Sequence, residues 1–191
     1  RIDFQGNTKG ALLLEPSRSN VVTYSSQLSQ WGQTNVTVIN DSLKSPDGTI
    51  NATKITDNST NGNHRLIVQN TTSSSGEATY SIFLKKGTMK NAFLNLFSAG
   101  TIANARVNLE TGTITPLAGS NHKIENYGDD WYRVSITGTL QATATYTYVY
   151  LNDIAGYVGT GEYLYAWGAQ LEEGSYATSY IPTSGSAVTR V

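Results

Sequence analysis

The stretch ATYSIFLKK, Ala78–Lys86, decides the fold class because its side chains alternate in character along the chain. The large apolar residues are Tyr80, Ile82 and Leu84, and the residues between them are Thr79, Ser81, Phe83 and Lys85. A period of two is typical of a β-strand that has one face against a hydrophobic core. We therefore predict a strand here, with the apolar set facing inward.

The same alternation recurs in three further stretches, Ala105–Glu110, Trp131–Thr139 and Thr145–Asn152. Short runs rich in Thr, Val, Ile, Tyr and Phe, separated by Gly, Asn, Asp and Pro, extend this pattern over the whole chain. The predicted strands are Gly10–Glu15, Asn35–Asn40, Ala52–Thr56, His64–Asn70, Ala78–Lys86, Asn91–Phe97, Ala105–Glu110, His122–Asn126, Tyr132–Thr139, Thr145–Asn152 and Glu162–Glu172.

No part of the chain shows a sustained helical period, and only Ser25–Trp31 favours a short helical turn. Turn signals such as Pro46-Asp47-Gly48 and Gly159-Thr160-Gly161 separate the predicted strands. Many short strands at this spacing favour an all-β fold, a two-sheet antiparallel β-sandwich of the jelly-roll type. The length of 191 residues suits a single domain over 1–191, and the first residue, Arg1, favours a domain excised from a longer protein.

The composition excludes several classes of protein. Charged residues make up 14% of the chain, against about 25% in an average globular protein, so Ser, Thr, Asn, Gln and Gly build the surface. The net charge of -1 provides no basic field for nucleic acid, and no apolar run is long enough to span a membrane. The chain has no cysteine for disulfides or thiolate metal sites. This composition is typical of a secreted, extracellular or virion-surface protein.

Several predicted strands carry aromatic residues among polar neighbours on the face that is not plainly core. The apolar face of a sugar ring stacks on Trp or Tyr, and its hydroxyls pair with Asn, Gln, Asp, Arg and Lys. A structural role is the alternative for each Tyr, because Tyr is a good strand former, and for Trp131 the two roles are evenly balanced. The candidate carbohydrate-binding residues are Trp131, Arg133, Tyr146, Tyr148, Tyr150, Phe83, Lys85, Arg65 and Gln69.

Three motifs carry a family resemblance that covers nearly the whole chain. They are GALLLEPSRSNVV (Gly10–Val22), DDWYRVSITGT (Asp129–Thr139) and YLYAWGAQLEEGSYATSYIPT (Tyr163–Thr183). Together they resemble carbohydrate-binding-module-like jelly-roll domains, as found in phage tail and virion proteins and appended to bacterial, often marine, polysaccharide-degrading enzymes. The resemblance implies a β-sandwich that binds a polysaccharide or glycan and shares its polypeptide with a catalytic domain. It brings no catalytic residues.

No cofactor is required by this interpretation, but some jelly rolls that bind carbohydrate hold a structural calcium ion near their chain ends. Glu15, Glu172 and Glu173 are candidates for such hard oxygen ligands. Ordinary surface carboxylates are the alternative for each of them.

Three functions remain open at this point. The leading hypothesis is a non-catalytic module that recognises a polysaccharide and targets an attached enzyme to it; for an acidic or sulfated glycan, Arg65, Lys85 and Arg133 would supply the positive charge. The second is a structural or receptor-binding domain of a phage tail or adhesin. The third is a small lyase or hydrolase, against which the sequence shows no nucleophile elbow, zinc motif or acid/base cluster on one strand.

Overall fold

The computed structural model describes residues 2–3, 11–12, 15–70, 75–141 and 143–191. Short strands dominate it, and a single 3-10 turn, Leu28–Gln30, is the helical element of the described ranges. The strands are β1 (Ile2–Asp3), β2 (Ala11–Leu12), β3 (Arg18–Asn20), β4 (Gly32–Thr34), β5 (Val36–Lys44), β6 (Ile50–Asp57), β7 (Asn61–Gly62), β8 (Arg65–Asn70), β9 (Glu77–Lys86), β10 (Asn91–Ser98), β11 (Thr101–Asn108), β12 (Thr113–Ala118), β13 (Ser120–Asn126), β14 (Trp131–Thr139), β15 (Thr145–Leu151), β16 (Tyr157–Val158), β17 (Tyr163–Glu173) and β18 (Val188–Arg190).

Two six-stranded antiparallel sheets form the body of the fold. The front sheet has the strand order β12-β11-β10-β15-β8-β4, and the back sheet has the order β13-β14-β9-β17-β6-β5. Three two-stranded pairs, β1 with β2, β7 with β16 and β3 with β18, join chain segments outside them. The predicted two-sheet antiparallel β-sandwich is confirmed.

The hydrophobic core lies between the sheets and contains the apolar sets that the alternation predicted. Tyr80, Ile82 and Leu84 of β9 are fully buried in it, as are Val134 and Ile136 of β14. From the front sheet they meet Ala92, Leu94 and Leu96 of β10 and Val149 and Leu151 of β15. The residues between these core positions therefore point away from the core on both sheets.

A β-bulge in β17 allows residues on both sides of the bulge to face the hydrophobic core. Its pairing with β9 shifts register between Trp167 and Gln170. Gly168 lies there with φ 64°, and a Cβ at that position would approach Phe83 to 2.8 Å. A glycine is therefore required. Because of the bulge, Ala166 and Ala169 both face the core.

Most predicted strands are found, with shifted ends, and the predicted helical turn within Ser25–Trp31 is also found. The prediction omitted β4 and β12, the two edge strands of the front sheet. The predicted strand Gly10–Glu15 lies largely outside the described residues, which place β2 at Ala11–Leu12. In the part of the chain that is described, no helix combines the length and hydropathy needed to cross a bilayer.

Candidate functional site

The outer face of the front sheet carries a continuous group of aromatic and polar side chains, which we name the tyrosine face. It is built on three neighbouring strands, β10, β15 and β8, whose alternate residues face the core. Since three tyrosines of β15 occupy every second position, they all point to the same side. The tyrosine face consists of Phe93, Asn95 and Phe97 on β10, Tyr146, Tyr148 and Tyr150 on β15, and Arg65, Ile67 and Gln69 on β8.

The rings of the tyrosine face contact one another in an ordered series. Tyr148 and Tyr150 have ring centroids 5.7 Å apart and planes inclined by 19°. Tyr146 continues the series, with its centroid 6.4 Å from that of Tyr148. Phe93 meets Tyr150 edge-on at 5.8 Å, and Phe97 meets Tyr146 at 6.2 Å. Such mutual contacts fix the ring positions, so the tyrosine face is preorganised.

Arg65 lies beside two of these rings. Its guanidinium carbon is 5.3 Å from the centroid of Tyr148 and 5.6 Å from that of Tyr150, and its Nη1 donates a hydrogen bond of 3.0 Å to the Tyr150 hydroxyl. Partial burial and the neighbouring Tyr150 raise the pKa of Tyr148, while Arg65 opposes the rise, so Tyr148 is neutral at pH 7. Among the described residues no carboxylate lies within ion-pair distance of Arg65, which leaves a positive charge on the face.

The exposure of the tyrosine rings falls along β15, from Tyr146 to Tyr150. Tyr150 is only 3% exposed and Phe93 only 1%, whereas Tyr146 and Tyr148 are half-buried and Gln69 is exposed. Tyr146, Tyr148 and Gln69 therefore form the accessible part of the tyrosine face, and Tyr150 packs beside Tyr148 at its buried end.

Polar atoms without protein partners accompany the rings. The side-chain carbonyl oxygens of Asn95 and Asn104 and the Nε of Arg65 are buried with no hydrogen-bond partner among the described residues. Asn95 is paired in register with both Tyr148 and Asn104, so its amide lies between the central ring and the Asn104 amide. Buried polar groups of this kind are usually satisfied by water or by a ligand.

Four of the sequence-predicted residues lie on the back sheet instead. Trp131 and Phe83 are each 3% exposed and belong to a second hydrophobic cluster with Ala52 and Trp167. The Trp131 indole N–H donates to the Lys44 carbonyl oxygen at 3.2 Å.

The two predicted basic residues on the back sheet, Arg133 and Lys85, also have hydrogen-bond partners in the protein. Arg133 is 4% exposed, and its Nη2 donates to the Ser81 hydroxyl at 3.0 Å. Its guanidinium carbon lies 5.3 Å from the ring centroid of Phe83. Lys85 donates to the carbonyl oxygen of Asp129.

The predicted set is therefore not one surface. Tyr146, Tyr148, Tyr150, Arg65 and Gln69 come together on the tyrosine face. The back-sheet group of Trp131, Arg133, Phe83 and Lys85 lies on the other sheet, and its aromatic members are covered. The reason is packing by distant parts of the chain: Leu43 of β5 and Tyr180, which follows β17, pack against the cluster that contains Trp131 and Phe83.

Phe93, Asn95 and Phe97 were missed as site residues by the sequence analysis. Their signal was present in NAFLNLFS, where they alternate with Ala92, Leu94 and Leu96. Ile67 was missed because an apolar residue on a half-buried strand carries no sign of a site.

The three glutamates proposed for calcium do not converge on an open oxygen cage. Glu172 is buried and accepts hydrogen bonds from Gln170 Nε2, the Thr178 N–H and the Thr178 hydroxyl, with Arg18 Nε at 3.8 Å. Glu15 accepts from the Ser179 N–H and pairs with Arg190 at 2.9 Å. Within the described ranges, no three His, Cys, Asp or Glu side chains are grouped to hold a metal ion. These residues do not fit a calcium site.

Comparison with known proteins finds solved structures that resemble this fold but no protein that matches its sequence. No family model matches the chain, and no curated protein matches it. A carbohydrate-binding module from Cellvibrio mixtus lichenase 5A, in complex with cellotriose, is 10% identical with a TM-score of 0.45, and the match covers 82% of this chain and 99% of that one.

Two larger proteins contain a similar unit. The enzymatically active domain of bacteriophage CBA120 tailspike protein 4 is 10% identical with a TM-score of 0.49, covering 80% of this chain and 21% of that one. The CBM22-1-GH10 modules of Clostridium thermocellum xylanase 10B, complexed with xylohexaose, are 12% identical with a TM-score of 0.47, covering 85% and 29%.

These structures belong to the two groups that the sequence resembles, carbohydrate-binding modules and phage tail proteins. What this chain itself shows is a jelly-roll β-sandwich with an ordered aromatic face on one sheet.

Proposed function

We propose that this domain is a non-catalytic carbohydrate-binding module whose site is the tyrosine face. The observation that carries the proposal is the ring series of Tyr146, Tyr148 and Tyr150, held in order on β15 and flanked by Arg65 and Gln69. The two accessible rings, Tyr146 and Tyr148, have centroids 6.4 Å apart and can meet neighbouring sugar units of a polysaccharide. The sugar C–H faces stack on the rings, and the hydroxyls pair with the polar side chains.

The charge of Arg65 extends the proposal to acidic or sulfated polysaccharide. Its guanidinium has no carboxylate partner among the described residues, and it donates a hydrogen bond to the Tyr150 hydroxyl instead. A carboxylate or sulfate on the ligand would supply the missing anion through charge-assisted hydrogen bonds. Arg106, the other arginine on this sheet face, is already paired with Asp153 at 2.6 Å.

Asp153, a carboxylate beside the tyrosine face, supports the proposal that the domain binds a polysaccharide without cleaving it. Burial acts to raise the pKa of Asp153, but hydrogen bonds from Arg106 and the Ile154 N–H outweigh it and hold the pKa below its ordinary value. A carboxyl that stays ionised is a poor general acid, since glycoside cleavage needs a protonated one. The module acts outside the cell or at a virion surface, where it holds an attached enzyme on its polysaccharide.

The experiment is retention of the purified domain on a panel of neutral, uronate-containing and sulfated polysaccharides, with light scattering of the free protein. We expect a monomer that is retained selectively, and most strongly by an anionic member. Retention by no polysaccharide would contradict the proposal. If the free protein were then a stable trimer, a structural role in a phage tail or adhesin would take its place.

A further inference from the structure

A groove of about 430 Å³ opens at the edge of the back sheet, away from the tyrosine face. One wall is the edge strand β13 and the other is the loop that follows β17. Cavities of this size, within the range of about 300–1,000 Å³, are typical of small-molecule sites. The side chains that matter for its chemistry are Asn121, His122, Lys123, Glu125, Ser135 and Tyr176.

The loop wall of the groove is held in place by hydrogen bonds. The carbonyl oxygen of Ser175 accepts from Asn121 Nδ2 at 2.9 Å and from the Thr137 hydroxyl at 3.2 Å. The preceding Gly174 has φ 125°, a backbone conformation that favours glycine. The groove is thus preformed, which lowers the entropy lost on binding.

Tyr176 gives the groove an aromatic wall. The ring is 52% exposed, which is unusual for so large an apolar surface that is fixed in place. Arg18 holds it, with its guanidinium carbon 5.7 Å from the ring centroid. An exposed and positioned ring at the rim of a polar groove can stack on the C–H face of a sugar.

The polar lining offers donors and acceptors without excess charge. Lys123 and Glu125 form an ion pair at 2.7 Å, so their charges compensate each other. Nε2 of His122 contacts the carbonyl oxygens of Asn104 and Ala118 and must donate to them. Nδ1 is therefore the ring nitrogen that is left for a ligand. The neighbouring hydroxyls of a sugar can pair with this mixture of donors and acceptors. An anionic ligand would find no unpaired positive charge among these groups.

We propose that this groove is a second saccharide site, which binds one or two terminal rings of a neutral sugar. The site goes beyond the proposed function, because it lies on the other sheet and differs from the tyrosine face in charge. Tyr176 stacks on the sugar ring, and Glu125 and Asn121 bond its hydroxyls. A domain with both sites can hold a polysaccharide chain along one face and a chain end at the other.

The test is titration of the ¹⁵N-labelled domain with cellobiose, xylobiose, mannobiose and galactobiose, observed by amide chemical shifts. At least one disaccharide is expected to give saturable shifts in residues 121–125 and 175–177. Tyr176→Ala should weaken that binding about three- to tenfold, the range for loss of one stacked ring. Glu125→Gln should weaken it as well, and Tyr127→Ala, at an exposed tyrosine outside the groove, should leave it unchanged.

Two outcomes overturn the proposal. The first is the absence of saturable shifts in the groove with every disaccharide. The second is binding that survives Tyr176→Ala and is lost in Tyr148→Ala, which would assign the disaccharide to the tyrosine face. The proposed function predicts that retention on polysaccharide depends on Tyr148, whereas the groove proposal predicts disaccharide binding that depends on Tyr176. Either proposal can therefore be contradicted while the other stands.

Discussion

Tyr148 and Tyr150 are two positions apart on β15, and their rings stack with centroids 5.7 Å apart and ring planes inclined by 19°. The two differ in access: Tyr150 is buried and Tyr148 is half-buried. The stacking fixes the position of the Tyr148 ring. In the proposed function, a ligand would meet Tyr148 in a position that is already fixed before binding.

Trp131 is expected to matter for stability rather than for direct ligand contact. It is 3% exposed within the second hydrophobic cluster. Trp131→Ala should lower the free energy of unfolding by about 3–5 kcal/mol. Thermal denaturation should show this as a fall in Tm of about 6–20 °C. A variant of unchanged Tm that has lost glycan binding would instead support the sequence-based prediction that Trp131 contacts the ligand.

Arg65 should decide the preference for anionic polysaccharide. Arg65→Gln removes the positive charge, and we expect affinity for an anionic polysaccharide to fall about tenfold or more, since a hydrogen bond to a charged group contributes about 1.5–3 kcal/mol. Affinity for neutral polysaccharide should fall less. Arg65→Lys is the matched control for charge without the planar guanidinium. Isothermal titration at low and high salt measures both effects, and equal losses on both ligands would exclude charge recognition.

Asp47 should make stability depend on pH. Burial acts to raise its pKa, but hydrogen bonds from Thr49, Asn51 and Ser45 outweigh it, so its pKa lies below the ordinary 3.8. A carboxylate with a lowered folded pKa stabilises the protein above its unfolded pKa, and this contribution is lost as pH falls through the folded value. Tm of wild type should therefore exceed that of Asp47→Asn near neutral pH and converge with it at about pH 2. A constant difference across that range would contradict the assignment.

Calcium should have no effect on the stability of the domain. The candidate ligands Glu15 and Glu172 are bonded to protein donors, and Arg18 and Arg190 lie beside them. Tm should be the same in EDTA and in millimolar calcium chloride. A bound ion would contribute about 2.7 kcal/mol at 100 times its Kd, so a clear rise in Tm with calcium would restore the calcium site.

The alternation of side chains was sufficient to predict the core faces of the main strands. In β9, the apolar set Tyr80, Ile82 and Leu84 is fully buried in the core between the sheets, as expected. This works because the period of a strand is a local property. By contrast, β12 contains Pro116, which is unfavourable in a strand except at a sheet edge, and β12 is an edge strand.

The sequence could not show which outer face is open. Trp131 and Tyr148 both stand on the outer face of a strand, among polar neighbours. They differ because Leu43 of β5 and Tyr180, which follows β17, pack against the cluster that contains Trp131. Those contacts join distant parts of the chain and leave no mark on the local pattern of β14. The split of the predicted site into two groups follows from this non-local packing.

The most direct measurement is affinity gel electrophoresis of Tyr148→Ala in the polysaccharide that best retains the wild type. We expect the dissociation constant to rise about three- to tenfold, as for loss of a stacked ring, with little change in Tm because Tyr148 is half-buried. Tyr148→Phe should retain most of the affinity, since it keeps the ring, and Tyr127→Ala, at an exposed tyrosine outside the face, should behave as wild type. Unchanged affinity in Tyr148→Ala, or an equal loss in Tyr127→Ala, would contradict the assignment of the tyrosine face as the binding site.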